Sequence, residues 1–260
     1  MRRFFIHPDQ IAKGRITLIG PEAHHLVTVL RLRAGEEVEF CDGSGLIHRA
    51  RLEKLGREVT AVIVSSRREQ DTSPLPLTLA QCLLKGKKMD LVVQKATELG
   101  VHTLIPVQSR FAVAGGNPAR QASRMARWQR IVVSACKQCG RATPMRIMPV
   151  TTIRELSLRD YHYRICCLET EKEGLLSPDF FSRPGSALLL IGPEGGFHGD
   201  EVRFIEECAF HRITLGPLIL RAETAAIVSC GLVSYLAALS SAGSASGGLA
   251  KFTCKSPEAS

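Results

Sequence analysis

The chain has 260 residues, 45% of them hydrophobic and 23% charged, ordinary for a soluble globular protein with a full core, and its length fits one large domain or two smaller ones. A formal net charge of +9 and a pI near 9.3 favour a polyanionic partner, nucleic acid first among them. Nine cysteines, an odd number scattered through apolar runs, and an amino terminus that reads as no secretory signal argue for a reducing cytosol rather than a disulfide framework, and no run approaches the apolar length of a membrane helix.

The chain opens on the basic, aromatic stretch MRRFFI. Glu22 to Leu32, EAHHLVTVLRL, then places Leu26, Val29 and Leu30 at helical spacing. Three strand-like pieces follow, at Glu36–Cys41, Leu46–Lys54 and Glu58–Ser65. Asp42-Gly43-Ser44-Gly45 between the first two reads as a hairpin turn, and Leu55-Gly56-Arg57 separates the second from the third. Short strands with tight turns predict a small β-barrel. Arg31 and Arg33 fit either phosphate contacts or exposed charges flanking Leu32. His24 and His25 belong to no set of metal ligands. Ser66 to Pro76, SRREQDTSPLP, is charged and then Pro-rich, and reads as a linker with the domain boundary near Thr72.

Beyond the linker a strand-like run, Leu77–Leu84, ends at Lys85-Gly86-Lys87-Lys88. That loop lacks the spacing and the terminal Ser or Thr of a nucleotide-binding P-loop, and no G-x-G-x-x-G follows any strand. Met89, Val92, Val93 and Ala96 share a helical face closed by Gly100, and Val101–Val107 is the next strand, so the domain begins as a βαβ unit with a mostly parallel sheet. Pro118 to Arg141 reads as a helix with an apolar stripe of Trp128, Ile131, Val132, Ala135 and Cys139. Its other face carries Arg120, Arg124 and Arg127, with Arg130, Lys137 and Arg141 nearby and no acidic residue in the stretch. Exposed helix faces normally mix charge signs, so unneutralised Arg at this density points to phosphate. Cys136-x-x-Cys139 has no second pair at comparable spacing and does not make a zinc site.

Tyr163–Leu168 is another apolar strand, with Glu169 at its exit. Two further stretches, LLLIGPEGGF (Leu188–Phe197) and LGPLILRAETAA (Leu215–Ala226), each pair an apolar strand with a Gly-Pro break and then a helix. Those helices are opened by Asp200 and Glu201 in one case and by Glu223 and Thr224 in the other. Gly permits backbone angles closed to other residues, and Pro removes a donor, so two such breaks leave bare backbone in one crevice, where open α/β sheets bind small ligands. Glu194, Arg221 and Glu223 lie beside apolar strands, where ionised groups are costly unless paired or used. The helix running through Leu239 is apolar nearly all round, which asks for cover on most sides. Ser240 to Ser260 is small and polar and reads as a disordered tail.

IGPEGGF followed by LGPLILRAETA resembles the signature of the SPOUT class of S-adenosylmethionine-dependent RNA methyltransferases. Within that class the chain is similar to the family that methylates N3 of uridine 1498 in bacterial 16S ribosomal RNA. HHLVTVLRLRAGEEV, KGKKMDLVVQKATELGV and Gln138-Cys139-Gly140-Arg141 resemble family segments in the same order. The resemblance implies an α/β fold with a trefoil-knotted SPOUT methyltransferase domain (73–240), preceded by a small PUA-like RNA-binding β-barrel (1–72) and followed by the tail (241–260). It implies a cytoplasmic homodimer, with the last helix at the interface, acting on 16S rRNA or the 30S subunit.

For the cofactor, S-adenosylmethionine, it implies contacts from Leu168, Glu169, Ile191, Gly192, Pro193, Glu194, Gly195, Gly196, Leu215, Gly216, Ile219, Leu220, Arg221 and Ala225. RNA contacts are expected at Arg31, Arg33, Arg120, Arg124, Arg127, Gln138 and Arg141. Arg221 and Arg141 are the candidates for stabilising the developing uridinate, with Glu194 as the proton acceptor or, instead, the partner of a backbone amide or of the donor's ammonium. No metal is implied. Two other readings remain open: a SPOUT enzyme acting on another nucleoside, and a non-catalytic RNA-binding assembly factor.

Overall fold

The computed structural model describes residues 3–69, 73–112, 117–169, 171 and 173–244. The expected boundary at Thr72 and the tail residues 245–260, with Lys251 and Lys255, lie outside the described residues. The amino-terminal part is a curled six-stranded sheet. Its strands are β1 (Arg3–Phe5), β2 (Ile11–Ala12), β3 (Arg15–Ile19), β4 (Glu37–Cys41), β5 (Leu46–Lys54) and β6 (Glu58–Arg68), in the order β1-β4-β5-β6-β3-β2. The turn at Asp42–Gly45 forms as expected, with the Asp42 carboxylate accepting the Ser44 N–H at 2.8 Å and both glycines at positive φ. Alternation along β3 and β5 sends Ile16, Leu18, Ala50 and Leu52 into a core with Phe4, Val38, Phe40 and Val59.

Two expectations fail here. The expected linker begins as strand, because β6 runs to Arg68 paired with Leu46. Its charges are tolerated because Arg67 pairs with Glu39 on β4 at 2.9 Å. The helix expected over 22–32 is a short α1 (Pro21–His24) running into a π-helical turn, His25–Val29. The wider turn moves Val29 off the buried face, so Leu26 is buried while Val29 is 60% exposed.

The second part is a parallel sheet of β7 (Leu77–Cys82), β8 (Thr103–Gln108), β9 (Arg146–Ile147), β10 (Thr151–Thr152), β11 (Tyr163–Cys167), β12 (Ala187–Ile191) and β13 (His211–Ile213). Its order is β10-β8-β7-β12-β11-β13, with β9 beside β8. Strands buried on both faces read as continuous apolar runs. In β12, Ala187, Leu189 and Ile191 join the core formed with α2 (Lys88–Glu98), α3 (Pro118–Cys139) and α5 (Ala222–Ser244). Leu188 and Leu190 join the core on the other face, with Ile205 of α4 (Gly199–Glu207). On α3, Asn117 caps the start by accepting the Arg120 N–H at 2.9 Å, and Gly140, at φ 78°, ends the helix.

Three further corrections fall in this part. On α3 the buried stripe runs through Cys136, and Cys139 is exposed. α5 continues past 240 to Ser244, since Ser and Ala carry its last turn. Ala222–Ala242 is also long and apolar enough, at a mean hydropathy of 1.7, to cross a membrane by length and composition. No uninterrupted run revealed this, because Ser229, Gly231 and Ser234 break the sequence. Ala226, Cys230, Val233 and Ala237 of that helix are buried in the protein core.

Arg3 ties the two parts together. Its guanidinium pairs with Glu39 at 2.8 Å and Glu69 at 2.9 Å, and donates to the carbonyl of Gly140 at the end of α3.

Candidate functional site

Register creates the site. Cys167 of β11 lies level with both Ile191 of β12 and Ile213 of β13, so three neighbouring parallel strands stop together. The chain beyond each, Leu168-Glu169, Gly192–Phe197 and Thr214–Arg221, surrounds one cavity of about 610 Å³ at their carboxyl ends, the usual place and size for a small-ligand site. The second apolar strand ends earlier than its sequence suggested, at Ile213, and leaves Leu218 and Ile219 exposed on the loop.

Glycine is required at particular points of this wall. Gly196 has φ +71°, and the turn it closes is held by its N–H to the Pro193 carbonyl at 3.0 Å. A Cβ there would stand 2.8 Å from Glu169 Oε1. At Gly192 a Cβ would stand 3.0 Å from the Phe197 ring, which folds back over it.

Every residue expected to hold the cofactor lines this cavity except Gly195. Gly195 turns outward, where a Cβ would stand 3.3 Å from the Cβ of Phe111. The motif GPEGG reads as one surface, but alternate residues of a tight turn face opposite ways. Lys88, Phe197 and Thr214 also line the cavity and were not assigned to it. The available signal for Lys88 was its place just after a buried parallel strand.

The charged groups are paired as their burial demands. Glu194 Oε1 accepts from the Lys88 ammonium at 3.0 Å and from the Lys85 N–H at 3.2 Å. Burial pushes the Glu194 carboxyl up, but the Lys88 hydrogen bond, the backbone N–H groups and the Lys88 charge outweigh it and hold the group below its ordinary range. Of the roles expected of Glu194, the partner of a backbone amide is the one these contacts display, and through them it tethers the loop after β12 to the start of α2. Glu223, 8% exposed, lies 3.8 Å from the same ammonium. Arg221 is exposed at the mouth of the cavity.

Arg141 is not brought to this cavity. Its guanidinium donates to the carbonyls of Val101 at 2.7 Å and Thr97 at 3.3 Å, at the end of α2. On α3, Arg120 and Gln138 are exposed, as are Arg31 and Arg33 of the amino-terminal part. Arg127 pairs with Asp90 of α2, and Lys137 with Glu22 of α1 at 2.7 Å. The basic face is therefore partly neutralised by neighbouring helices, which a search of its own stretch for acids could not reveal. Among the described residues no group of three or more His, Cys, Asp or Glu is placed to hold a metal ion.

Comparison with known proteins gives the same two parts. The RNA methyltransferase domain family matches residues 71–234, and the RNA methyltransferase PUA domain matches residues 18–64. The chain is 30% identical to ribosomal RNA small subunit methyltransferase E of Bacillus subtilis, over 90% of this chain and 96% of that one. With the protein of the same name from Mycobacterium bovis it shares 31% identity, over 86% and 87%. A solved structure of ribosomal RNA small subunit methyltransferase E from Neisseria gonorrhoeae, bound to S-adenosyl methionine, is 32% identical. It superposes with a TM-score of 0.78 over 91% of this chain and 98% of that one.

Proposed function

This chain belongs to the RNA methyltransferase family, and from that premise we propose that it transfers a methyl group from S-adenosylmethionine to N3 of uridine 1498 in 16S ribosomal RNA. The observation that carries the reading is the cavity at the level ends of β11, β12 and β13, walled by the Gly-Pro breaks expected to hold the donor. Its size suits such a molecule, and its glycines let backbone approach closely. Ile191 to Glu194, Gly196 and Leu215 to Arg221 would hold the donor largely by main chain, with Leu168, Glu169 and Ala225 closing the wall. β12 lies between β7 and β11, two strands formed earlier in the chain, an arrangement that suits a trefoil knot.

When bound, the donor supplies a methyl on a sulfonium that is already activated. What remains for the protein is alignment and charge. N3 of neutral uracil carries a proton and lies on the pairing edge, so the base must be unpaired and must lose that proton. Arg221, exposed and lining the cavity, would stabilise the uridinate. The exposed Arg120, Arg31, Arg33 and Gln138, with Arg124, would grip flanking RNA in the 30S subunit.

α5 leaves Val228, Leu232, Tyr235 and Leu239 exposed on one face, which fits a homodimer. The setting is the bacterial cytoplasm. Labelled methyl transfer to purified 30S particles, followed by nucleoside digestion and mass spectrometry, tests the assignment. 3-Methyluridine is the expected product, and any other methylated nucleoside overturns the choice of target.

A further inference from the structure

Among the described residues two cations line the cavity, Arg221 and Lys88. Lys88 is the first residue of α2, and its side chain is 36% exposed, so its ammonium is held in the wall with room to act. An ammonium has three donors. Glu194 takes one at 3.0 Å, while Glu223 stands at 3.8 Å, beyond hydrogen-bond reach.

Two carboxylates beside one ammonium would leave the cluster negative, yet both lie at helix starts. Glu223 is in the first turn of α5. Glu194 accepts the N–H of Lys85, just ahead of α2. Each helix start carries roughly half a positive charge, so the cluster is close to neutral without a ligand. The buried Glu223 Oε2 makes no hydrogen bond among the described residues. A buried carboxylate oxygen in that state is costly unless a charge nearby compensates it, and Lys88 is that charge. The arrangement therefore fixes a protonated amine in the cavity wall without reorganisation, the property that makes a donor effective against charge developing in a reaction.

We infer that Lys88 is a second catalytic cation, hydrogen-bonding a carbonyl oxygen beside N3 of the target pyrimidine as that nitrogen is deprotonated, with Glu223 and Glu194 as its positioning residues. The inference rests on the uridine-N3 reading above. The N3–H bond breaks and its proton goes to water. The pair left on N3 forms the bond to the methyl carbon as the carbon–sulfur bond breaks onto sulfur. Lys88 keeps its own protons throughout.

The test is the single-turnover pH–rate profile of the full-length protein on 30S particles, for wild type, Lys88→Met, Lys88→Arg and Glu223→Gln. Calorimetry of each variant with donor alone is run alongside. Wild-type rate should rise with pH as the base ionises and then level off. Lys88→Met should be slower on the order of 10²-fold at low pH, with the levelling-off point moved to higher pH, so that the gap narrows as pH rises. Lys88→Arg should recover most of the rate, and Glu223→Gln should level off between wild type and Lys88→Met. Donor affinity without RNA should change less than threefold in Lys88→Arg, and in Lys88→Met it should fall by much less than the rate does. A loss by the same factor at every pH, or one matched by lost donor affinity, overturns the inference and leaves the uridine-N3 reading standing. A wild-type product other than 3-methyluridine overturns both.

Discussion

Gly195 and Gly196 are neighbours in one motif, yet they face opposite sides of the same turn, and their substitutions should separate. At Gly196 a side chain meets two obstacles, a φ of +71° and the Glu169 carboxylate at 2.8 Å. The carboxylate can swing away, but the left-handed backbone costs a β-branched residue about 1–2 kcal/mol, and relieving it rotates the wall of the cavity. Gly196→Val should therefore weaken donor binding about tenfold or more, read by calorimetry. Gly195→Val presses only on exposed Phe111 and should weaken binding much less. Equal losses in the two variants would mean that the wall has been drawn on the wrong side of the turn. The sequence already placed the Gly-Pro breaks in one crevice, because Gly and Pro announce backbone behaviour. Which face each residue of the break presents depends on dihedral angles that composition does not encode. The pairings of Glu194, Glu223 and Lys88 were hidden for a related reason. Partners 106 and 135 residues apart meet only once β7 and β12 are neighbours.

At the scale of elements, α3 and α5 each present a face that nothing among the described residues fully covers. On α3, Arg127 is held by Asp90 and Lys137 by Glu22, so these two serve packing before any ligand arrives. Arg120 extends from the exposed first turn. Arg120→Ala with Arg124→Ala should flatten the dependence of log K on log salt for RNA by roughly one unit per lost phosphate contact. An unchanged slope would leave that face merely solvated. Arg127→Ala should also lower the melting temperature, because it leaves Asp90, 17% exposed, without its partner. On α5, Val228, Leu232, Tyr235 and Leu239 recur at intervals of four, three and four residues, the spacing of one helical stripe. Leu232→Arg places a charge in the middle of that stripe. It should convert the proposed dimer to monomer in analytical ultracentrifugation while leaving the fold intact by circular dichroism. A variant that still sediments as a dimer would move the interface elsewhere. Periodicity found both helices, but the α1 region misled it, since a π-helical turn shifts the face that a 3.6-residue period assigns to Val29.

For the molecule as a whole, the question is how the curled sheet proposed to grip RNA is kept in register with the cavity proposed to hold the methyl donor. Arg3 is the joint. Its guanidinium, 12% exposed, binds Glu39 and Glu69 on the amino-terminal side and the Gly140 carbonyl on the other. Beside it Cys41, Ile47 and Ala142 form a small shared core with Phe5. Gly140 lies within the Gln138–Arg141 segment, and Arg141 in turn holds the carbonyls that end α2, the helix whose first residue is Lys88. A chain of contacts therefore runs from the amino-terminal sheet to the helix that carries Lys88 into the cavity wall. Removing one partner of a buried charge network costs about 3 kcal/mol at the lower end, and Arg67 would still hold Glu39. Arg3→Met should thus destabilise the protein by about that amount without unfolding it, and its calorimetric transition should broaden or split as the two parts melt apart. Because every described residue that lines the cavity belongs to the second part, donor affinity should stay within about twofold of wild type. RNA affinity should fall by about tenfold or more as the two gripping surfaces lose their fixed relation. Donor and RNA affinities falling together would mean that Arg3 supports the fold of the cavity itself rather than the geometry between the parts.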